Sequence, residues 1–286
     1  MDILVLGATG NTGSEVVRQL QQTGANFGVM VRNANSTATM NLQPEQVREG
    51  DFTDVAAMEK AMQGVKRIYV SMPIHQDNKL WVENVIAAAK AANVEHVVKL
   101  SGMGAKSDAG SEIIRTHVVT DDLVKASGLA WTIIQPNSFF QNLFGSLATI
   151  NAMGKFFLPL GNAKQSVVDI RDVAAVIVES LIGEGHDGQT YLLSGPEALT
   201  FTQQAEVISQ ASGKQIEYVA VSEQDAAAAM KEAGMDEWFA NALAEIMAWF
   251  GTGAYTEVTD TVERVTGKPA RNFDDFANEF AHAIEK

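Results

Sequence analysis

Residues 2–6 (DILVL) run directly into GATGNTG at residues 7–13, and then into apolar residues at helical spacing that end at Leu20. An apolar, β-rich run, a loop with glycine at every third position and an amphipathic helix constrain this part of the chain to strand, phosphate loop and helix. Gly7 permits the tight turn off the strand. Gly10 removes a β-carbon that would hold the backbone away from a phosphate, and Gly13 lets the helix pack closely on the sheet. The first N–H groups of that helix, near Asn11 and Thr12, have no intrahelical partner and carry the positive end of the helix dipole. The stretch from Gly7 through Thr9 to Gly13 therefore reads as the entry to a dinucleotide site.

The kind of dinucleotide follows from the second strand. An Asp or Glu about 20 residues on accepts the ribose 2′-OH of NAD, whereas an Arg accommodates the 2′-phosphate of NADP. The run at residues 26–31 ends at Arg32 and Asn33, and no acidic residue occurs between Glu15 and Glu45. NADP(H) is the expected cofactor, with Arg32 on its 2′-phosphate.

Strand-like and helix-like runs alternate through the first half. Strands are expected at residues 2–6, 26–31, 46–50, 67–71, 96–100 and 130–134, with helices at 55–62, 80–92 and 111–126. Such alternation predicts an α/β fold, a Rossmann-type doubly wound parallel sheet with helices on both faces. Ligands of such sheets lie at the carboxyl ends of the strands. Those ends supply Arg32, Asp51, Phe52, Ser71, Met72, Pro73, Ser101, Pro136 and Asn137 as further cofactor-binding candidates. Asp51 and Phe52 are expected to flank the adenine, and Pro136 and Asn137 the nicotinamide.

The second half reads as short strands at 156–160, 166–170, 189–193 and 216–221, with helices at 172–181, 202–211, 225–230, 237–250 and 273–284. The expected division is a Rossmann-type domain over residues 1–141 and a smaller α/β C-terminal substrate lobe over 142–286, its elements interleaved with the first. One stretch, between Lys125 and Lys155, carries no charge, but Gln135, Pro136, Asn137, Gln141, Asn142 and Asn151 interrupt it, so it reads as a buried strand and a pocket wall.

With 35 acidic against 21 basic residues, the net charge of −14 repels nucleic-acid phosphate and anionic membranes, so neither is an expected partner. The absence of cysteine excludes disulfides, a thiol nucleophile and thiolate metal ligands, and no metal site is expected. No basic segment followed by an apolar core opens the sequence, so no signal peptide is read and a cytoplasmic location is expected. A homodimer is one candidate assembly.

GATGNTG, Gly50-Asp51, the run from Ser127 to Pro136 followed by Phe139-Phe140-Gln141-Asn142, the stretch 168–174 and Thr266-Gly267-Lys268-Pro269 together resemble the NmrA-like atypical short-chain dehydrogenase/reductases. Within that group the chain is most similar in look to bacterial NAD(P)H quinone oxidoreductase and triphenylmethane reductase type proteins. The resemblance spans nearly the whole chain and implies the same fold and a cofactor-dependent reduction. Gln135 departs from the group, in which many members carry Arg before the proline.

Ordinary short-chain dehydrogenases protonate their substrate with a Tyr-x-x-x-Lys pair. The four tyrosines here, at 69, 191, 218 and 255, are followed four residues later by Pro73, Gly195, Ser222 and Thr259, so the pair is absent. His117 and Asp121, one helical turn apart, take its place, and His117 is the candidate proton donor. Phe139 and Phe140 directly follow the expected nicotinamide strand and are candidates to stack on an aromatic substrate. Without a dedicated acid, hydride transfer from NADPH to a quinone or similar flat, electron-poor acceptor is favoured, since the ring stabilises the resulting anion. An NADP(H)-binding redox sensor without turnover is the alternative, while a sugar-nucleotide epimerase would normally need the missing pair.

Overall fold

The computed structural model describes every residue except Ala254 and Lys286. Its elements in chain order are β1 (Ile3–Leu6), α1 (Asn11–Thr23), β2 (Phe27–Val31), β3 (Val47–Glu49), α2 (Val55–Met62), β4 (Arg67–Val70), α3 (Asn78–Ala91), β5 (His96–Leu100), α4 (Glu112–Lys125) and β6 (Ala130–Pro136). There follow α5 (Leu147–Met153), β7 (Lys155–Leu158), α6 (Ile170–Ile182), β8 (Gln189–Leu193), α7 (Phe201–Ser212), β9 (Glu217–Ala220), α8 (Glu223–Glu232), α9 (Glu237–Phe250), α10 (Thr261–Thr266) and α11 (Phe273–Ala281).

Seven strands form one sheet in the order β3-β2-β1-β4-β5-β6-β8. Neighbours from β3 to β6 pair in parallel. The N–H of Gly188 donates to the carbonyl of Trp131 at 2.8 Å and that of Asn137 to Leu193 at 2.9 Å, so β8 ascends alongside β6 as well. All four residues of β1 are buried, as a strand covered on both faces requires. Leu4, Leu6, Ile68, Val97 and Ile133 share a core with Met58 and Met62 of α2 and Val82 and Val85 of α3. Helices α1 and α6 pack side by side next to β1 and β4. The strand order turns back between β1 and β4, and crevices of such sheets open there.

The chain forms two compact units, and no single cut near residue 141 separates them. The first is Met1–Gly102, Thr116–Gln135 and Ile170–Tyr191; the second is Met103–Arg115, Pro136–Asp169 and Leu192–Lys286. Residues 170–191 return to the first unit because α6 packs on α1 and β8 extends the sheet.

In the second unit β7 and β9 pair in parallel as a two-stranded sheet. Its core is aromatic, with Phe140, Phe156, Phe201, Phe273, Phe276 and Phe280 all buried. The strand expected at 166–170 does not form: Val168 makes one isolated bridge to Phe139 before α6 begins at Ile170. Two short helices, α5 and α10, each stopped by a left-handed glycine (Gly154 and Gly267), were not expected from periodicity. Among the described residues no helix is long and apolar enough to cross a membrane.

Candidate active site

The three loop glycines serve different purposes. Gly7 has φ +83°, and a β-carbon there would lie 2.0 Å from the Ser71 carbonyl oxygen. A β-carbon at Gly13 would lie 2.1 Å from the Gly7 carbonyl oxygen. The protein's own backbone therefore demands glycine at both positions. At Gly10 the nearest protein atom would be 3.4 Å away, an ordinary contact, so no protein group requires glycine there. Gly10 is the N-cap of α1 and supplies no side-chain cap, and the first turn holds no acidic residue. Thr9, Gly10 and Asn11 are exposed, whereas Thr12 is buried. The open space at Gly10 and the uncapped N–H groups of α1 fit the diphosphate of a dinucleotide.

The adjoining strand ends bring the other candidates of this unit to the same edge. Ser71 follows β4, and its N–H donates to the Leu6 carbonyl at 3.1 Å. Met72 packs against the core and Pro73 is exposed. Arg32, the first residue beyond β2, is exposed and makes no hydrogen bond or ion pair among the described residues. Hydrogen bonds from the Thr53 hydroxyl and N–H hold the Asp51 carboxyl below its ordinary range, with a smaller contribution from the Arg32 charge. Phe52 stacks on Trp81 at 5.9 Å between centroids, and Trp81 on His75 at 4.5 Å. In the sequence, Trp81 and His75 carry no signal beyond an aromatic near the start of a helix.

A carboxylate also lies at the β2–β3 corner. Glu49 closes β3 opposite Val31, and its Oε1 accepts the Ala34 N–H at 3.0 Å. Sheet pairing brings it there from the neighbouring strand, so the residues after β2 give no sign of it in the sequence.

A buried polar cluster stands at the β5–α4 corner. Asp121 accepts Lys99 Nζ at 2.7 Å, the Ser101 hydroxyl at 2.7 Å and the Gln135 amide at 3.2 Å. Lys99, Ser101 and Asp121 are all buried. Burial pushes the Lys99 pKa down, opposed by the Asp121 charge and its hydrogen bond. Burial, with help from the Lys99 charge, also lowers His117 to about 4 against the pull of Asp121. A lowered pKa disfavours the imidazolium form of His117 near pH 7, the form that a proton donor would use.

The remaining candidates lie in the second unit. Asn137 is buried, and its amide donates to Ser166 Oγ at 2.9 Å and to the Tyr255 carbonyl at 3.1 Å, while Oδ1 accepts the Ser138 N–H. These hydrogen bonds hold its side chain within that unit. Pro136 is buried, and its carbonyl accepts the Met103 N–H at 2.8 Å. Phe140 is 2% exposed and packs against Phe273 and Phe276, so its ring belongs to the core and does not offer a face for stacking. Phe139 keeps part of its surface open.

Residues 7–183 match a family described as NAD(P)H-binding. Over 282 residues the chain is 39% identical to an NAD(P)H azoreductase of Xenophilus azovorans, covering 99% of each protein. Its structure resembles that of an NADPH-dependent quinone oxidoreductase of Escherichia coli complexed with NADPH, at TM-score 0.89 and 28% identity over 97% of this chain and 99% of the other. A Citrobacter triphenylmethane reductase complexed with NADP(H) shares the fold at TM-score 0.84 and 24% identity, over 98% of this chain and 100% of the other.

Proposed function

This chain belongs to the NAD(P)H-binding family as an NAD(P)H-dependent oxidoreductase, and from that premise we propose that it uses NADPH to reduce quinones or similarly flat, electron-poor acceptors. The loop from Gly7 to Gly13 and the N-terminus of α1 hold the diphosphate, and Arg32 faces the 2′-phosphate. Bound there, the dinucleotide supplies the hydride.

One observation carries the choice of acceptor: the polar groups of the β5–α4 corner are already paired with one another. Lys99, Ser101 and Gln135 all donate to Asp121, and His117 is neutral at pH 7. A simple ketone would develop an alkoxide that these groups are poorly placed to protonate. A quinone, dye cation or azo compound distributes the added electrons over its own conjugated system, so orientation against the cofactor suffices for much of the acceleration. Phe139, the one substrate candidate with open surface, is assigned to the acceptor's ring.

The test is turnover with NADPH across quinones, azo and triphenylmethane dyes, and simple ketones. Quinones and dyes should be reduced and ketones left alone. Turnover of ketones at comparable rates, or of nothing in the panel, overturns this reading.

A further inference from the structure

We propose that Glu49 sets the balance between NADPH and NADH, so that the chain takes NADH alongside NADPH; this rests on reading the strand ends of the first unit as the dinucleotide site. In the register of β2 and β3, Val31 lies opposite Glu49, and the Gly50 N–H donates to the Val31 carbonyl at 3.0 Å. The residues that leave the two strands, Arg32 and Gly50, therefore lie at one corner. Glu49 reaches across that corner and seats Oε1 on the Ala34 N–H at 3.0 Å, two residues past Arg32. Its other oxygen makes no hydrogen bond among the described residues, and the side chain is exposed.

The consequences for the two cofactors have opposite signs. A 2′-phosphate drawn to Arg32 meets a fixed negative charge, and the Ala34 N–H that would help to bind it is already taken. A 2′-hydroxyl meets a free carboxylate oxygen, the acceptor that NAD sites of this fold place at the end of the second strand. Here that acceptor comes from β3. Asn33 does not compensate for the phosphate, because its Oδ1 is engaged by the Asn35 N–H at 2.9 Å. Arg32 and Glu49 thus pull the selectivity in opposite directions, and neither cofactor is excluded.

Calorimetric dissociation constants for NADPH and NADH, measured on wild type, Glu49→Gln, Glu49→Ala and Arg32→Ala at low and high salt, test this directly. Glu49→Gln keeps an acceptor for Ala34 but loses the charge. It should tighten NADPH about fivefold, the scale of one exposed charge interaction, with the gain shrinking at high salt. Glu49→Ala should also weaken NADH, and Arg32→Ala should weaken NADPH at least about tenfold while leaving NADH within about twofold. An unchanged NADPH-to-NADH ratio in both Glu49 variants, with wild type binding NADPH, overturns the role of Glu49 alone. Wild type binding neither dinucleotide overturns the cofactor reading and this inference with it.

Discussion

The phosphate loop and the β5–α4 corner both stand at carboxyl ends of strands in one sheet, yet the first is left open and the second is closed on itself. At the loop, the N-terminus of α1 has no side-chain cap and no acid in its first turn, and the space beside Gly10 is unfilled. At the corner, one buried carboxylate gathers three donors, two of them buried as well. The difference separates two uses of polar groups. Donors left unpaired at an accessible edge are completed by a ligand, while a buried and satisfied set fixes the strands and helix that carry it. Asp121 ties β5, α4 and the end of β6 together, and so holds Ser101 at the edge of the site without spending a group on the substrate.

If the corner is a frame of this kind, breaking it should produce the largest effect in the molecule. Asp121→Ala leaves Lys99 buried without a counter-charge and should cost about 3–5 kcal/mol, read as a fall in denaturant midpoint. Asp121→Asn keeps a hydrogen-bond acceptor and should cost less, because the amide still meets Ser101 or Lys99. Equal and small losses in both variants would mean that the ion pair is not what fixes the corner.

A smaller effect comes from His117, which lies one helical turn before Asp121 on α4. Its pKa of about 4 in the folded chain lies below the ordinary 6.5, chiefly through burial. Between these values the unfolded chain binds a proton that the folded chain refuses. Stability due to this residue is therefore complete above pH 6.5 and falls as the pH drops toward 4, by about 3 kcal/mol at most. In His117→Asn that component of the acid limb should disappear from a plot of unfolding free energy against pH. An acid limb identical to wild type would show that other groups carry it.

The same contrast explains what could be read from the sequence. The phosphate loop is contiguous, so its glycines, the apolar run before it and the helix after it declare themselves within twenty residues. The order of strands and helices through residue 136 followed from alternation, with boundaries off by a residue or two. The corner did not declare itself, because Lys99, Asp121 and Gln135 meet only in the folded chain; the sequence pairs Asp121 with His117 one helical turn away and not with the lysine of β5. A lysine inside the apolar run of β5 was the available hint, since a cation there requires a buried partner. In the second unit the aromatic core joins residues as distant as Phe140 and Phe280, and the Val167-Val168 pair resembled a strand for which the fold supplies no ladder. Glu49 was missed for a related reason, as sheet pairing rather than sequence distance brings it to Ala34.

The sharpest separation of the two uses lies within the loop itself, where the effect on stability should be smallest. Gly13→Ala forces a β-carbon against the Gly7 carbonyl, so it should destabilise the fold by about 1–3 kcal/mol and disturb binding only as a consequence. Gly10→Ala meets no protein atom closer than 3.4 Å and should cost under about 1 kcal/mol, most of it from a poorer N-cap. Its added methyl group nevertheless stands in the space into which the diphosphate must come. Melting curves and NADPH titrations on the two variants should thus diverge, with Gly10→Ala melting near wild type while losing at least about tenfold in affinity. Wild-type affinity in Gly10→Ala would mean that the diphosphate lies elsewhere, and the open end of α1 would need another ligand.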